Sequence, residues 1–396
     1  MKLAVVVPRY GPAIAGGAET LARSVAQSLA RWHRVTVLTT TATDYVTWRS
    51  ALPSGEDADG RVQVLRFVPE RERTPYWHEL NRLLESSLAR GDTVGVRTWP
   101  PALQEEYVRW QGPYPPELFE WLRRHSAALE RVLFFTYLYP TSYFGAACVA
   151  AEKIDFYPTL HDEPTAYLPI MARSFRRAAR LLFCSDTERA LADTLYAVGA
   201  STSAVIGYGL DTPPREPARG TDSAAPYLLY VGRIDLNKGV DTLIRDFIRW
   251  RTETPDASLR LLLAGTAAME LPVHPDIEYR GHVSDSEKFA LMRGALAVVH
   301  PSAFESLGLV VLEAFSCGTP ALVVARNPVL VAHCRQSNGG LWYVDYSAFA
   351  AALSWLLQHP REARVLGAQG CAYTQARYGR AAYEQRLAAL YPAEAA

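Results

Sequence analysis

What most constrains this chain is a cadence of short β-branched apolar runs, each followed by a loop and then a helical pattern. Leu3–Val7 is the first run; a loop bearing Gly11, Gly16 and Gly17 follows, and then a helical pattern from Ala18 to Ala30. Continuous apolar runs suit strands covered on both faces, which is how parallel strands are buried. Val35–Thr39 and Val62–Phe67 continue the series, so the chain opens as a doubly wound α/β domain. Further strands are expected at Arg131–Phe135, around Tyr157–Leu160, at Leu181–Cys184 and at Ala204–Ile206. Residues 70–125 differ: they hold Trp77, Trp99, Trp110, Trp121 and the turn-rich Gly112-Pro113-Tyr114-Pro115-Pro116, and they predict inserted helices and long loops.

Residues 209–226 are rich in Pro, Ser, Thr and Ala, lack periodicity, and predict a linker. After it the cadence restarts, with strands expected at Tyr227–Val231, Leu259–Ala264, Ala297–His300 and Ala321–Val324. Helices are expected at Val240–Trp250, Ser286–Arg293 and Val310–Ser316, with two closing helical segments near Ser347–Gln358 and Arg361–Leu390. A length of 396 residues suits two domains of ordinary size. The expected organisation is an N-terminal Rossmann-like domain over 1–208, a linker at 209–226 and a C-terminal Rossmann-like domain over 227–374. The final helix, about 375–396, is expected to pack back on the first domain.

Lys+Arg and Asp+Glu both number 41, so no global charge attracts nucleic acid and none is expected as a partner. The five cysteines (Cys148, Cys184, Cys317, Cys334, Cys371) show neither a C-x-x-C pair nor metal-ligand spacing, which fits a reducing, cytoplasmic setting. The opening MKLAVVVPRYG is too short for a signal peptide. No stretch approaches the ~18–20 apolar residues of a membrane span. Arg173, Arg176, Arg177 and Arg180 read as one basic helical face, either solvated or in peripheral contact with the inner membrane surface.

Three loops carry candidate chemistry in the second half. Gly232-Arg233-Ile234-Asp235-Leu236-Asn237-Lys238-Gly239 lies between a strand and a helix, where open α/β sheets bind ligands. A guanidinium and an ammonium there can neutralise a diphosphate, or can simply be two solvated cations. Leu261–Gly265 is a buried strand ending in a glycine, which permits close approach of a ligand or another backbone. In the third loop Glu305 follows a strand, Ser306, Leu307 and Gly308 lead into a helix, and Leu309 and Glu313 lie within it. The helix start suits phosphate oxygens. Glu313 stands among apolar residues and needs a partner: ribose hydroxyls would serve, and so would a core salt bridge. In the first half, Gly16-Gly17-Ala18-Glu19 is a strand–helix turn without the dinucleotide G-x-G-x-x-G order. His161, followed by Asp162 and Glu163, is expected at a strand end.

GRIDLNKGVDTLI, LLLAG, YRGHVSDSEKFALMRGA and HPSAFESLGLVVLEAFSCGTPALV stand in the order of family 4 retaining glycosyltransferases of GT-B fold. The chain resembles that family over about 227–330 closely, and more loosely at Gly16-Gly17 and Leu160-His161-Asp162. The pair Glu305 and Glu313 matches its E-x7-E signature; Ser306-Leu307 departs from the Pro/Gly-Phe common after the first Glu. The resemblance implies an α/β architecture of two Rossmann-like doubly wound domains with a cleft between them. It implies a nucleotide-diphosphate sugar as donor substrate, with no cofactor and no metal. Arg233 and Lys238 would stabilise the leaving diphosphate, and Glu313 would hold the ribose. Glu305 would lie near the sugar hydroxyls, with Ser306, Leu307, Gly308 and Leu309 amides on sugar and phosphate. Gly265 and Val283 would border the donor, Gly16 and Gly17 would close its diphosphate site, and His161 would lie beside the anomeric carbon, with Asp162 and Glu163 as alternative bases or turn caps. The acceptor would be a saccharide or lipid-linked saccharide in bacterial cell-surface polysaccharide assembly, for which the aromatic stretch Phe134–Pro140 offers stacking faces or core. A GT-B-shaped nucleotide-sugar epimerase and a non-catalytic nucleotide-sugar binder are the other classes these motifs allow.

Overall fold

The computed structural model describes residues 1–14, 16–89, 98–199, 202–213 and 225–393. Most of the expected linker, residues 214–224, therefore lies outside the described residues. The chain divides into two compact units, Met1–Tyr208 with Glu384–Ala396, and Gly209–Tyr383.

In the first unit the apolar runs become β1 (Lys2–Val6), β2 (Arg34–Thr40), β4 (Val62–Phe67), β5 (Arg131–Phe135), β6 (Ile154–Tyr157), β7 (Arg180–Phe183) and β8 (Ser203–Val205), joined by β3 (Gly55–Asp59). They form one eight-stranded sheet in the order β3-β4-β2-β1-β5-β6-β7-β8. Every neighbouring pair is parallel except β3 with β4. β3 was not expected: GEDAD has no apolar alternation, and it forms as an exposed, acidic edge against β4. The insertion folds into helices Pro75–Ala89, Pro101–Gln111 and Pro116–His125. A proline opens each, where the missing N–H costs nothing and the fixed φ suits the first turn.

The second unit holds β9 (Tyr227–Val231), β10 (Arg260–Ala264), β11 (Ile277–Gly281), β12 (Ala297–His300), β13 (Ala321–Val324) and β14 (Gly340–Tyr343). All pairs are parallel, in the order β11-β10-β9-β12-β13-β14. Residues alternate between the two faces. Leu228, Tyr230, Leu261, Leu263 and Val299 pack with Phe247, Trp250 and Phe349. Leu229, Val231, Leu262 and Val298 pack with Leu291, Met292 and Ala314. Both faces are thus covered, which accounts for the unbroken apolar runs. In both units the strand order reverses once, between β1 and β5 and between β9 and β12.

Three expected elements are corrected. β6 stops at Tyr157, because Pro158 has no N–H to offer the sheet and Thr159 turns to φ 46°. His161 therefore lies in the following loop, not at a strand end. The expected helix over Arg361–Leu390 is two, Pro360–Tyr378 and Arg380–Leu390, broken where Gly379 adopts extended backbone. The expected basic face also dissolves: the helix Met171–Arg177 ends before Arg180, which opens β7. Arg177 donates to the carbonyls of Ala146 and Val149, and Arg173 pairs with Glu105. Among the described residues no helix is long and apolar enough to cross a membrane.

The closing residues of the chain belong to the first unit. Arg386 donates to the carbonyl of Ile206 at 2.9 Å, and His33 Nε2 lies 3.0 Å from the carbonyl of Tyr391. Within the sheet, Asp155 of β6, fully buried, pairs with Arg131 and with Arg180 (Nε 2.7 Å), and it accepts the Tyr391 hydroxyl at 2.7 Å. Removing this carboxylate leaves two guanidinium groups without a counter-charge. Asp155→Ala should destabilise the first unit by about 3 kcal/mol, the low end of the cost of breaking a buried pair because both arginines keep some water. Tyr391→Phe should cost about 1 kcal/mol. Urea unfolding of the full chain measures both, and an Asp155→Ala loss below that of Tyr391→Phe would show the network to be dispensable.

Candidate functional site

In the second unit the reversal of strand order sets the loops after β9 and β12 side by side. Of three adjacent strands, β9 and β10 are followed directly by Gly232 and Gly265, and β11 ends on Gly281. Gly232 N–H donates to Ala264 O at 3.0 Å, and Gly265 N–H to Gly281 O at 2.8 Å. Gly265 has φ 143°, and a Cβ there would sit 1.8 Å from Gly232 O. The result is a low ledge of backbone at the strand ends.

The loop after β9 is fixed by its own polar groups. Asp235 accepts the Lys238 N–H at 2.9 Å and pairs with the Arg233 guanidinium, while Tyr230 Oη donates to Arg233 O at 2.6 Å. Gly239 lies so close to Pro301 that a Cβ would stand 2.8 Å from its carbonyl oxygen. Across that contact Lys238 Nζ reaches Glu305 Oε1 at 2.6 Å, and His300 Nε2 lies 3.3 Å from the same oxygen. His300 is buried, and its Nδ1 has no hydrogen-bond partner among the described residues. Burial pushes the Glu305 carboxyl up, but the Lys238 ammonium and the His300 hydrogen bond outweigh it and hold the group well below the usual carboxylate range. Arg233, Lys238, Asp235 and Glu305 thus form a charge-balanced cluster.

Glu313 is buried in the helix Leu309–Ser316, and its partner is Lys288, with Nζ 2.8 Å from Oε1. Lys288 comes from the helix Asp285–Gly294 and also meets Asp285 at 3.1 Å. Burial raises the Glu313 carboxyl in spite of this ion pair. Val283 precedes that helix and is partly buried against the cluster of Leu291, Met292 and Ala314. Nothing in the sequence pointed to Lys288, because the pair spans 25 positions.

The segment from Ser302 to Gly308 is gripped by Asn327 and the helix Pro328–Ser337 that it caps, a helix that was not expected. Asn327 donates to Ser302 O at 3.3 Å, and His333 Nε2 lies 2.7 Å from Leu307 O. Gly308, at φ 69°, fits so tightly that a Cβ would meet Leu330 at 2.3 Å. Ser306 and Leu307 follow Glu305, and Leu309 begins the helix.

The remaining candidates lie in the first unit. Arg9, just beyond β1, binds Glu19 at 2.5 Å and the carbonyl of Thr43 at 2.9 Å. Gly16, at φ 156°, leaves no room for a Cβ beside Glu19, and Gly17 starts the helix Gly17–Leu29. His161 Nδ1 stands 3.5 Å from Glu163 Oε1, which also accepts the Tyr137 hydroxyl at 2.8 Å. Burial works against the Glu163 carboxylate, yet the His161 hydrogen bond and charge bring it below its usual value. Asp162 accepts the Tyr167 hydroxyl at 2.7 Å. Glu188, missed in the sequence, is buried and accepts the amides of Leu160 at 2.7 Å and Cys184 at 2.6 Å; burial pushes it up to about 7. Phe134, Phe135 and Tyr137 are fully buried, so these rings are core and offer no stacking face. No group of three or more metal-ligating side chains occurs among the described residues.

Residues 225–359 match the family described as Glycosyl transferases group 1, a span enclosing Arg233, Lys238, Glu305 and Glu313. Over 200 residues the chain is 34% identical to the glycogen synthase of Mycobacterium tuberculosis, covering 48% of each. It spans about half the length of the curated relatives it matches. It also superposes on the sucrose-phosphate synthase of Thermosynechococcus elongatus (TM-score 0.72, 18% identity, 98% of both chains). A further match is Anabaena HepE in complex with UDP and glucose (TM-score 0.68, 14% identity, 99% of both chains). The fold is therefore GT-B, built of two Rossmann-like domains.

His333 gives this region a signature in acid. Burial drives its imidazole from the usual 6.5 down to about 4. Between those values the unfolded chain takes up a proton that the folded unit refuses. The stabilisation is therefore complete above pH ~6.5 and is lost as pH falls toward 4, by roughly 2–3 kcal/mol. His333→Gln cannot titrate and should flatten that part of the profile. Urea unfolding at pH 7 and at pH 4.5 measures it, and an unchanged acid loss in the variant would assign the effect elsewhere.

Proposed function

We propose that the chain is a retaining glycosyltransferase of the family 4, E-x7-E type. It would move a sugar from a nucleotide-diphosphate sugar to a saccharide or lipid-linked saccharide acceptor, in the cytoplasm, for cell-surface polysaccharide assembly. The observation that carries this reading is the cluster at the β9/β12 reversal, where Arg233, Lys238 and Glu305 meet a glycine ledge and the start of the helix Leu309–Ser316. The match of residues 225–359 to a glycosyl transferase family supports it, as does the nucleotide in the HepE complex.

In this reading the diphosphate sits over the ledge. Lys238 uses one of its three N–H donors on Glu305 and turns the others, with Arg233, toward the phosphates. Glu305, held ionised by its neighbours, accepts from hydroxyls of the donor sugar. Glu313 shares its carboxylate between Lys288 and the ribose hydroxyls. The bond from the anomeric carbon to the phosphate oxygen breaks, and the acceptor oxygen bonds to that carbon on the same face. The acceptor proton passes to the departing phosphate oxygen. The two cations and the helix start stabilise the leaving charge, so the proposed reaction uses no metal and no cofactor. We assign His161, steadied by Glu163, to the reacting sugar.

Thermal shift and calorimetry with UDP, GDP and ADP test the binding step. One diphosphate series should stabilise the full chain, and Lys238→Ala or Arg233→Ala should weaken it about 10–100-fold, the worth of a charge-assisted contact. Glu305→Gln should lower kcat by ~10² or more with a smaller change in diphosphate affinity. Nucleotide release dependent on acceptor, with the anomeric configuration of the product read by NMR, tests transfer and retention. No shift with any nucleotide would overturn the reading.

A further inference from the structure

We propose that His333 is a positioning residue, which orients the Leu307–Gly308 peptide so that the Gly308 amide is presented to the diphosphate. This rests on the reading that the loop from Glu305 to Leu309 takes that diphosphate. Leu307 O can only accept, so His333 Nε2 carries the proton across their 2.7 Å contact. His333 Nδ1 then meets the Tyr373 hydroxyl at 3.0 Å, from the helix Pro360–Tyr378. The imidazole is buried and held at both ring nitrogens, and the same Tyr373 hydroxyl also lies 3.1 Å from Gln336 Oε1.

A trans peptide points its carbonyl and its amide in opposite directions. Holding Leu307 O against His333 therefore turns the Gly308 N–H away from the helix Pro328–Ser337. Among the described residues that N–H has no hydrogen-bond partner. The N-cap residue and one further helical residue keep the loop in place. Asn327 holds Ser302 O, and Leu330 seats Gly308 in its left-handed conformation. Asn327 is the N-cap of the helix, and Leu330 and His333 lie three positions apart within it, on one face. Without the imidazole donor the Leu307 carbonyl would seek another partner, and rotation of that peptide would carry the amide with it.

The test uses the full chain, with UDP, GDP and ADP and their nucleosides as probes, in calorimetry and in steady-state assay. His333→Leu keeps the volume and removes the donor. It should weaken the diphosphate about tenfold, with nucleoside affinity changed less than about twofold, and should raise donor KM with kcat nearly kept. His333→Gln places an amide N–H near the Nε2 position and should recover affinity to within about threefold. A structural role alone would not separate diphosphate from nucleoside, nor KM from kcat. Wild-type diphosphate affinity in His333→Leu, or equal loss of nucleoside and diphosphate, overturns the proposal. Should His333→Leu fail to fold, Tyr373→Phe frees one side of the ring. A diphosphate-specific loss there of about threefold supports the proposal, and unchanged affinity overturns it. Failure of the wild-type chain to bind any nucleotide would instead strike the proposed function, before any variant is compared.

Discussion

The reversal of strand order between β9 and β12 is the constraint on which the second unit's site depends. Parallel strands deliver all their carboxyl ends to one edge, but helices that cover both faces normally keep successive loops apart. Only where the order reverses do two loops run outward side by side and leave a crevice. The loops after β9 and β12 are those two. Each side chain of interest is short-range in origin, a few residues beyond a strand, yet Lys238 and Glu305 become neighbours only through the sheet. Gly239 allows that approach, since any side chain there would press on the Pro301 carbonyl.

The electrostatics of the crevice follow from pairing, not from excess charge. Two cations face two carboxylates, so a diphosphate would not be drawn by net charge. What favours it is orientation: Asp235 fixes Arg233 and the Lys238 backbone, and Glu305 draws the ammonium to one place. Cations already held cost less to order when an anion arrives, which is the physical content of preorganisation. The same pairing keeps Glu305 ionised despite its burial, because the ammonium and the imidazole together outweigh desolvation. Glu313 shows the opposite balance: with one ammonium to answer for its burial, its carboxyl is raised. Two glutamates eight positions apart thus differ in proton affinity through their neighbours alone.

Much of this was legible in the sequence, for a physical reason. Strands buried on both faces read as near-continuous apolar runs, so β1, β5 and β9 are visible as such, while β2 and β4 show through their β-branched residues and alternation. β14, reading GLWY, and β11, reading IEYRG, are not, because their residues are only partly covered. Arg233, Lys238 and Glu305 could be found because strand ends and glycines mark where side chains leave the core. Lys288 and His333 could not. Their significance lies in what they touch, Glu313 and Leu307 O, and the contacts cross from one helix to another element. The same blindness worked in reverse for Phe134–Tyr137, aromatic in sequence but wholly interior.

The two sheets turn their chains at the strand ends in different ways, and the difference bears on His161. The second unit uses glycines, which adopt positive φ without strain. The first unit has Thr136 at φ 65° and Thr159 at φ 46° after β5 and β6, where a β-branched residue pays about 1–3 kcal/mol each. Such strain persists only where surrounding contacts over-determine the backbone. Those contacts are present: Thr136 N–H donates to Tyr157 O, Tyr137 N–H to Pro158 O, and Leu160 N–H to the buried Glu188. The segment Pro158–His161 is thereby clamped from β5 on one side and from Glu188 on the other. Tyr137 and His161 converge on Glu163 from the loops that follow two neighbouring strands. The strain and the buried carboxylate fix the backbone that leads into His161, and this supports the proposed assignment of that imidazole to the reacting sugar.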